Sequence, residues 1–196
     1  RLKKLMGFEF VRADISDREI LNRQSPITNY QFDAVINLAA WAGVRASVKN
    51  PWVYVESNVI GTLNMLELCR QGGTKKFLLA STSSIYGENP PYPTPETASS
   101  SEPLQPYAAS KKGAEAMAHA YHHLYDIDVS VVRFFTVYGP AGRPDLAIFR
   151  FVKWISEGHP VRVNGNGEQS RGFTYIDDIT RGIFAATKPL GFEIFN

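Results

Sequence analysis

The chain has 196 residues, 44% of them hydrophobic and 20% charged, with 15 glycines and 12 prolines. That is ordinary globular composition, about one domain or one and a half, and it excludes disorder, collagen and coiled coil. Twenty-one Lys and Arg stand against 19 Asp and Glu, for a formal net charge of +2. No segment gathers enough basic residues to follow a phosphate backbone, so no nucleic-acid partner is expected.

The start, Arg1-Leu2-Lys3-Lys4-Leu5-Met6, is basic, but Glu9 and Arg12 interrupt any apolar signal region, so no targeting peptide is expected. Phe8 to Ile15 is a short β-rich run, and Asp17 to Leu21 can start a helix. Phe32 to Ala39 predicts a strand, with small residues after it. Val53 to Arg70 carries apolar residues near helical spacing until Gly72-Gly73 stops it. Lys76 to Ala80 predicts a buried strand. Residues 88–106 hold six of the prolines and several serines, a loop that Pro106 closes as a helix begins. Val129 to Val137 predicts another buried strand, ended by Tyr138-Gly139-Pro140. Leu146 to Ser156 predicts a helix, Val161 to Val163 a short strand, Asp177 to Ala186 a helix and Phe192 to Phe195 a strand fragment. No apolar run nears the roughly 18 residues of a membrane span. The one cysteine, Cys69, excludes an internal disulfide and a multi-cysteine metal cage, and it fits a reduced cytoplasmic setting.

Apolar strands separated by helices imply an α/β fold, a parallel sheet covered on both faces. Ligands of such sheets lie beyond the carboxyl ends of the strands. Tyr107 and Lys111 stand four apart at the start of a helix and share a face. A cation beside a phenol, together with the positive helix end, is expected to lower its pKa and make it a proton acceptor for a substrate hydroxyl. The spacing alone also fits a surface lysine following a buried tyrosine. Ser81-Thr82-Ser83-Ser84 directly follows a buried strand, where a hydroxyl can relay a proton or hold a sugar oxygen, although Ser/Thr-rich turns are common there.

Ala80 to Gly87, Tyr107-Ala108-Ala109-Ser110-Lys111 and Arg133 to Pro140 resemble the extended short-chain dehydrogenase/reductases, and within them the NAD-dependent nucleotide-sugar epimerases and dehydratases. Asn37-Leu38-Ala39-Ala40, Asn58 to Thr62 and Arg171 to Asp178 agree with that resemblance. It implies a Rossmann-like doubly wound sheet and NAD as cofactor. It implies catalytic roles for Thr82, Tyr107 and Lys111. Asp14 and Ile15 would lie at the adenine. Leu38, Ala39 and Ala40 would pass under the cofactor, Asn58 and Lys111 would reach the nicotinamide ribose, and Phe134 would border the nicotinamide. Arg171 would meet the substrate diphosphate, although Gly172 stands where the family usually has Asp. The helices at 53–70 and 107–125 would form a homodimer contact.

Dehydratases of this family carry an Asp-Glu pair or a Glu after the Thr, and here Ser83 and Ser84 stand instead, which argues against dehydration. Gly139 to Phe149 is most similar to the UDP-glucuronate 4-epimerases. That resemblance implies conversion of UDP-glucuronate to UDP-galacturonate through a 4-keto sugar. Ser83, Ser84, Thr136 and Arg143 would surround the substrate. A UDP-glucose 4-epimerase or another nucleotide-sugar epimerase or dehydratase is the alternative.

His119, His122 and His123 share a helix without a carboxylate or cysteine partner, so no metal is expected. No Gly-rich strand-to-helix turn, which normally holds the NAD pyrophosphate, occurs in the sequence. Phe8 to Ile15 resembles the family's third strand. The expectation is therefore part of a longer chain, with residues 1–139 a nucleotide-binding domain lacking its first two strands and 140–196 a partial sugar-nucleotide region. A non-catalytic fragment unable to hold NAD is the alternative of another class.

Overall fold

A computed structural model describes residues 6–18 and 31–196. Four strands form one parallel sheet in the order β1-β2-β3-β6: β1 Val35–Asn37, β2 Lys76–Thr82, β3 Asp128–Phe134 and β6 Phe192–Phe195. The expected β/α alternation is present. All seven residues of β2 are buried, as a strand covered on both faces requires. Two further strands, β4 Thr136–Tyr138 and β5 Phe173–Tyr175, pair with each other.

Alternation along β2 and β3 sends side chains to two layers. Phe77, Leu79, Val129 and Val131 meet Leu66 and Cys69 of α3 (Gly61–Gly72) and Ala114, Ala118 and Tyr121 of α4 (Pro106–Tyr125). Leu78 and Val132 meet Ala186 and Ile183 at the end of α6 (Ile176–Ala185) on the other face. Burial pushes the Cys69 thiol up to about 12, consistent with a packing role. Helix α3 ends where Gly73 adopts a left-handed conformation at φ 72°.

Several expectations need correction. Phe8 to Ile15 forms no strand, and both Phe8 and Phe10 are exposed. A β-rich run becomes a strand only where a neighbour completes its ladder, and among the described residues β1 pairs only with β2. Val161 to Val163 is exposed and irregular for the same reason. The helix at 53–70 is three pieces: α2 Trp52–Tyr54, a π-helical turn Val55–Ile60, and α3. Helix α1 Val44–Lys49 has no counterpart among the predicted elements, and α5 covers Ala147–Ser156. The helix start at Asp17 to Leu21 runs outside the described residues after position 18.

At the amino ends of β2 and β3, Lys76 and Asp128 are register partners and an ion pair. Lys76 Nζ also donates to Ser130 Oγ at 2.8 Å, and Asp128 Oδ2 accepts from the backbone N–H of Leu190 and Gly191, both at 2.6 Å. Burial alone would raise the Asp128 pKa. The hydrogen bonds from Lys76, Gly191 and Leu190 outweigh it, and the carboxyl lies below the ordinary range. Its stabilisation is therefore present above about pH 4 and fades as pH falls through the folded value. Asp128→Asn is expected to cost about 3 kcal/mol by leaving Lys76 buried without its partner. Denaturant unfolding at neutral pH checks the loss, and the gap between variant and parent should narrow at acid pH.

Candidate active site

Strand β2 delivers Thr82 to its carboxyl end, where the backbone turns into a single 3₁₀ turn, Ser83–Tyr86. The Thr82 hydroxyl caps that turn by accepting from the Ser84 N–H at 3.2 Å. Helix α4 starts beside it. Gln105 is extended, Pro106 takes the first helical position, and Tyr107 follows in the first turn. The Tyr107 phenol stands near the Thr82 hydroxyl and packs edge-on against Tyr54, with ring centroids 6.1 Å apart. One turn on, Lys111 is 4% exposed and donates from Nζ to the Ala80 carbonyl at 2.7 Å. Thr82, Tyr107 and Lys111, singled out in the sequence, thus converge where β2 ends.

The expected depression of the Tyr107 pKa is not what the structure gives. Burial raises it above the ordinary phenol value, and the nearby Thr82 hydroxyl and the Arg143 charge oppose that only in part. The Lys111 ammonium is turned to a strand carbonyl. Burial lowers its pKa to about 8, with Glu115 resisting the fall. The pair is therefore poised: a phenol carrying its proton, and an amine that ionises near physiological pH.

Asn58 is 1% exposed on the π-helical turn, a feature that often marks functional sites. Its Oδ1 accepts from Trp41 N–H at 2.8 Å, and its Nδ2 donates to Trp41 O at 3.1 Å and Ser110 Oγ at 2.9 Å. The side chain ties the segment after β1 to the helix that carries Lys111. Leu38, Ala39 and Ala40 follow β1 and are exposed, leaving an open apolar backbone at the sheet's carboxyl edge. Asp14 is exposed and bonds the Ser16 N–H and hydroxyl at 2.9 and 2.7 Å, while the Ile15 carbonyl accepts from Asn64 of α3 at 2.7 Å. Phe134 pairs in register with Thr82 and is half-buried.

Ser83 and Ser84 are half-buried in the turn, and the Thr82 hydroxyl donates to Ser84 Oγ at 3.2 Å. Thr136 opens β4, its N–H held by the Gly172 carbonyl at 3.1 Å. Arg143 is exposed and forks onto Asp145 at 3.1 and 2.6 Å. It lines a cavity of about 520 Å³ with Leu146, Phe149, Val152 and Lys153. Arg171 is exposed, and its Nη1 bonds the neighbouring Ser170 carbonyl at 2.7 Å. Two of the three histidines of α4 are engaged elsewhere: His119 and His122 pack on Phe192, and His122 Nδ1 lies 2.8 Å from the Ile127 carbonyl.

Sequence reasoning missed Glu115 and Tyr54. A signal was available. Arg133 sits in the middle of an apolar strand run, and a charge there demands a buried partner. Glu115, four residues after Lys111, supplies it.

The profile of the NAD-dependent epimerase/dehydratase family matches residues 1–196. The chain belongs to that family. A UDP-glucuronate 4-epimerase of Thermodesulfobacterium geofontis is 58% identical to this epimerase-family chain over 196 residues, covering all of it and 59% of that protein. The crystal structure of a UDP-glucose 4-epimerase from Thermotoga maritima with UDP-glucose aligns at a TM-score of 0.88 and 33% identity, over 94% of this chain and 60% of that one. A Bacillus cereus UDP-glucuronic acid 4-epimerase, solved with UDP-glucuronic acid and NAD, aligns at 0.81 and 36% identity over 98% and 60%. The family chain thus spans about 60% of the length of these relatives.

Burying Lys111 carries a testable cost. Its unfolded pKa lies near ~10.4 and its folded value near 8, so stability rises with pH between those values, by about 3 kcal/mol at most. Lys111→Met is expected to be more stable than the parent at pH 7 and to lack that rise, as read by denaturation at pH 7, 8 and 9.5.

Proposed function

We propose that this chain carries the catalytic centre of an NAD-dependent UDP-sugar 4-epimerase whose substrate is UDP-glucuronate and whose product is UDP-galacturonate. The observation that carries the proposal is the Tyr107 phenol beside Thr82, with buried Lys111 one turn away, at the carboxyl end of β2. The 58% identity to a UDP-glucuronate 4-epimerase supports the choice of sugar.

The residues suit a dinucleotide at this edge. Leu38, Ala39 and Ala40 are exposed after β1 and would run beneath the cofactor, with Asp14 and Ile15 at the adenine. Lys111 can hydrogen-bond a ribose. Asn58 sets the floor through Trp41 and Ser110, and Phe134 borders the nicotinamide side. NAD, when bound, accepts a hydride from C4 of the sugar and returns it to the opposite face.

This chain's own work is proton transfer and positioning. Tyr107 Oη takes the proton of the C4 hydroxyl, with Thr82 Oγ1 as its hydrogen-bond partner. The Lys111 ammonium stabilises the phenolate as it forms. The same phenol returns the proton when the 4-keto sugar has turned over. Ser83, Ser84 and Thr136 supply hydroxyls, and no carboxylate stands in the two positions after Thr82, which fits epimerisation without loss of water. A 4-keto uronic acid is a β-keto acid that loses carbon dioxide readily. The hydroxyls of Ser84 and Thr136 hold its carboxylate in an unproductive orientation, and Arg143 leaves Asp145 to pair with an anion. Arg171 meets the diphosphate through its guanidinium fork.

Residues 1–139 make up the nucleotide-binding part and 140–196 a portion of the sugar-nucleotide region. Two copies pair through the helices at 53–70 and 107–125, whose outer faces expose Val55, Ile60 and Leu124. The enzyme works in the cytoplasm.

Two outcomes test the proposal in the protein as its gene encodes it. Tyr107→Phe is expected to lower kcat on UDP-glucuronate about 10³-fold, as removal of a general base does. Thr136→Ala or Ser84→Ala is expected to raise the fraction of decarboxylated UDP-pentose, resolved by chromatography of the products. Turnover of UDP-glucose alone would refute the uronate assignment, and unchanged product ratios and rates in the Thr136 and Ser84 variants would refute the carboxylate clamp. NAD released from purified protein checks the cofactor.

A further inference from the structure

A buried polar cluster lies beside the site. Arg133 and Glu115 are 2% and 3% exposed, and they face each other through two parallel hydrogen bonds, Nε to Oε1 at 3.0 Å and Nη2 to Oε2 at 2.8 Å. Ser81 Oγ donates to Glu115 Oε1 at 2.5 Å, and Lys112 Nζ lies 3.4 Å from Oε2. Four donors therefore converge on one carboxylate, which leaves it no open position for a substrate proton. Arg133 Nη1 continues outward to Tyr86 Oη at 2.9 Å and the Glu96 carbonyl at 3.0 Å.

The cluster lies directly behind the proton-transfer group. Glu115 is one helical turn from Lys111 and two from Tyr107, on the same face of α4. Ser81 is the residue before Thr82 and is the register partner of Arg133 across β2 and β3. Lys111 bonds the carbonyl of Ala80, the residue before Ser81. Two consecutive residues of β2 are thus fixed to α4, Ala80 by Lys111 and Ser81 by Glu115, and Thr82 follows them beside Tyr107.

We infer that Glu115 is a positioning residue for the proton-transfer group. Clamped by Arg133 and Ser81, it sets the height of α4 on β2, and with it the meeting of Thr82, Tyr107 and Lys111. It also neutralises Arg133. Without it Arg133 would be a buried guanidinium with no counter-ion. The charge of Glu115 favours the ammonium form of Lys111, in keeping with this role. The inference rests on the epimerase reading above.

The test uses the full gene product with its bound NAD, first assayed as wild type on UDP-glucuronate and UDP-glucose. Glu115→Gln keeps the shape and removes the charge. Its kcat is expected to fall at least tenfold, with KM within twofold and NAD content unchanged, because Glu115 touches neither ligand in the proposed pose. The double variant Glu115→Met/Arg133→Met removes both buried charges together. Its melting temperature is expected to return toward the parent while kcat stays at least tenfold down. A merely structural role predicts the reverse, rate recovering with stability, and that result would overturn the inference, as would a Glu115→Gln kcat within twofold of wild type. Ser81→Ala, which leaves the ion pair whole, is expected to lose threefold or more in kcat and decides the matter if Glu115→Gln does not fold. A wild-type protein that turns over neither sugar overturns the proposed function and this inference with it, whereas an active wild type beside unimpaired variants overturns the inference alone.

Discussion

The site depends on one helix lying against one strand. Helix α4 presents a single face to β2 and β3, and that face changes character along its length. Toward its carboxyl end it carries Ala114, Ala118 and Tyr121, which pack on Phe77, Leu79, Val129 and Val131. Toward its amino end it carries Tyr107, Lys111 and Glu115, and no methyl group could replace their contacts. The small alanines let the helix sit close to the sheet. Close seating puts a lysine ammonium within 2.7 Å of a strand carbonyl, and the carbonyl offsets some of the cost of burying that charge. The apolar half fixes the distance, and the polar half uses it.

Charge at the two ends of the same strand pair follows one logic. At the amino ends of β2 and β3, Lys76 and Asp128 are register partners joined as an ion pair. At the carboxyl ends, Ser81 and Arg133 are register partners joined through Glu115. Between them lie only apolar and small side chains. Buried pairs of this kind add little net stability against an apolar alternative, but a one-residue slip of register would leave each charge unpartnered. The two pairs therefore specify the register of β2 on β3, and that register brings Thr82 to the height of Tyr107.

The parts of this architecture that are legible in sequence patterns are those where one local rule governs. The buried run at 76–80, the proline that opens α4 and the double glycine at the end of α3 each have one physical reading, and each lies where that reading places it. The run expected as one buried strand over Val129 to Val137 instead splits into β3 and β4 of different sheets, its last residues only half-buried. Phe8 to Ile15 has the composition of a strand yet forms none, because a strand is a property of two segments and composition does not say which segments pair. The phenol pKa moves opposite to the direction the spacing suggests. Spacing shows that Lys111 shares a face with Tyr107, but not that its ammonium turns to Ala80 or that burial outweighs nearby charge. Arg143 and Arg171 stand out by their motifs, yet Arg143 pairs with Asp145 and Arg171 with its own neighbour's carbonyl.

The π-helical turn shows most plainly why periodicity has a limit. A helical stripe over 53–70 assumes 3.6 residues per turn throughout. The wider turn at Val55–Ile60 takes in an extra residue and rotates the next turns of helix, so the apolar stripe of α3 still reaches the core through Leu66 and Cys69. What the wider turn gains is Asn58. Its amide is aimed across the groove to Trp41 and Ser110, and Thr62 closes the turn by donating to the Asn58 carbonyl at 2.7 Å while accepting from Asn37 of β1 at 3.2 Å. One asparagine thereby links the end of β1, the π turn and α4 beside Lys111. A regular helix would present that side chain at a different angle and leave the Trp41 backbone groups and the Ser110 hydroxyl to find other partners. The irregularity in the helix and the order around Lys111 are thus two aspects of one packing solution.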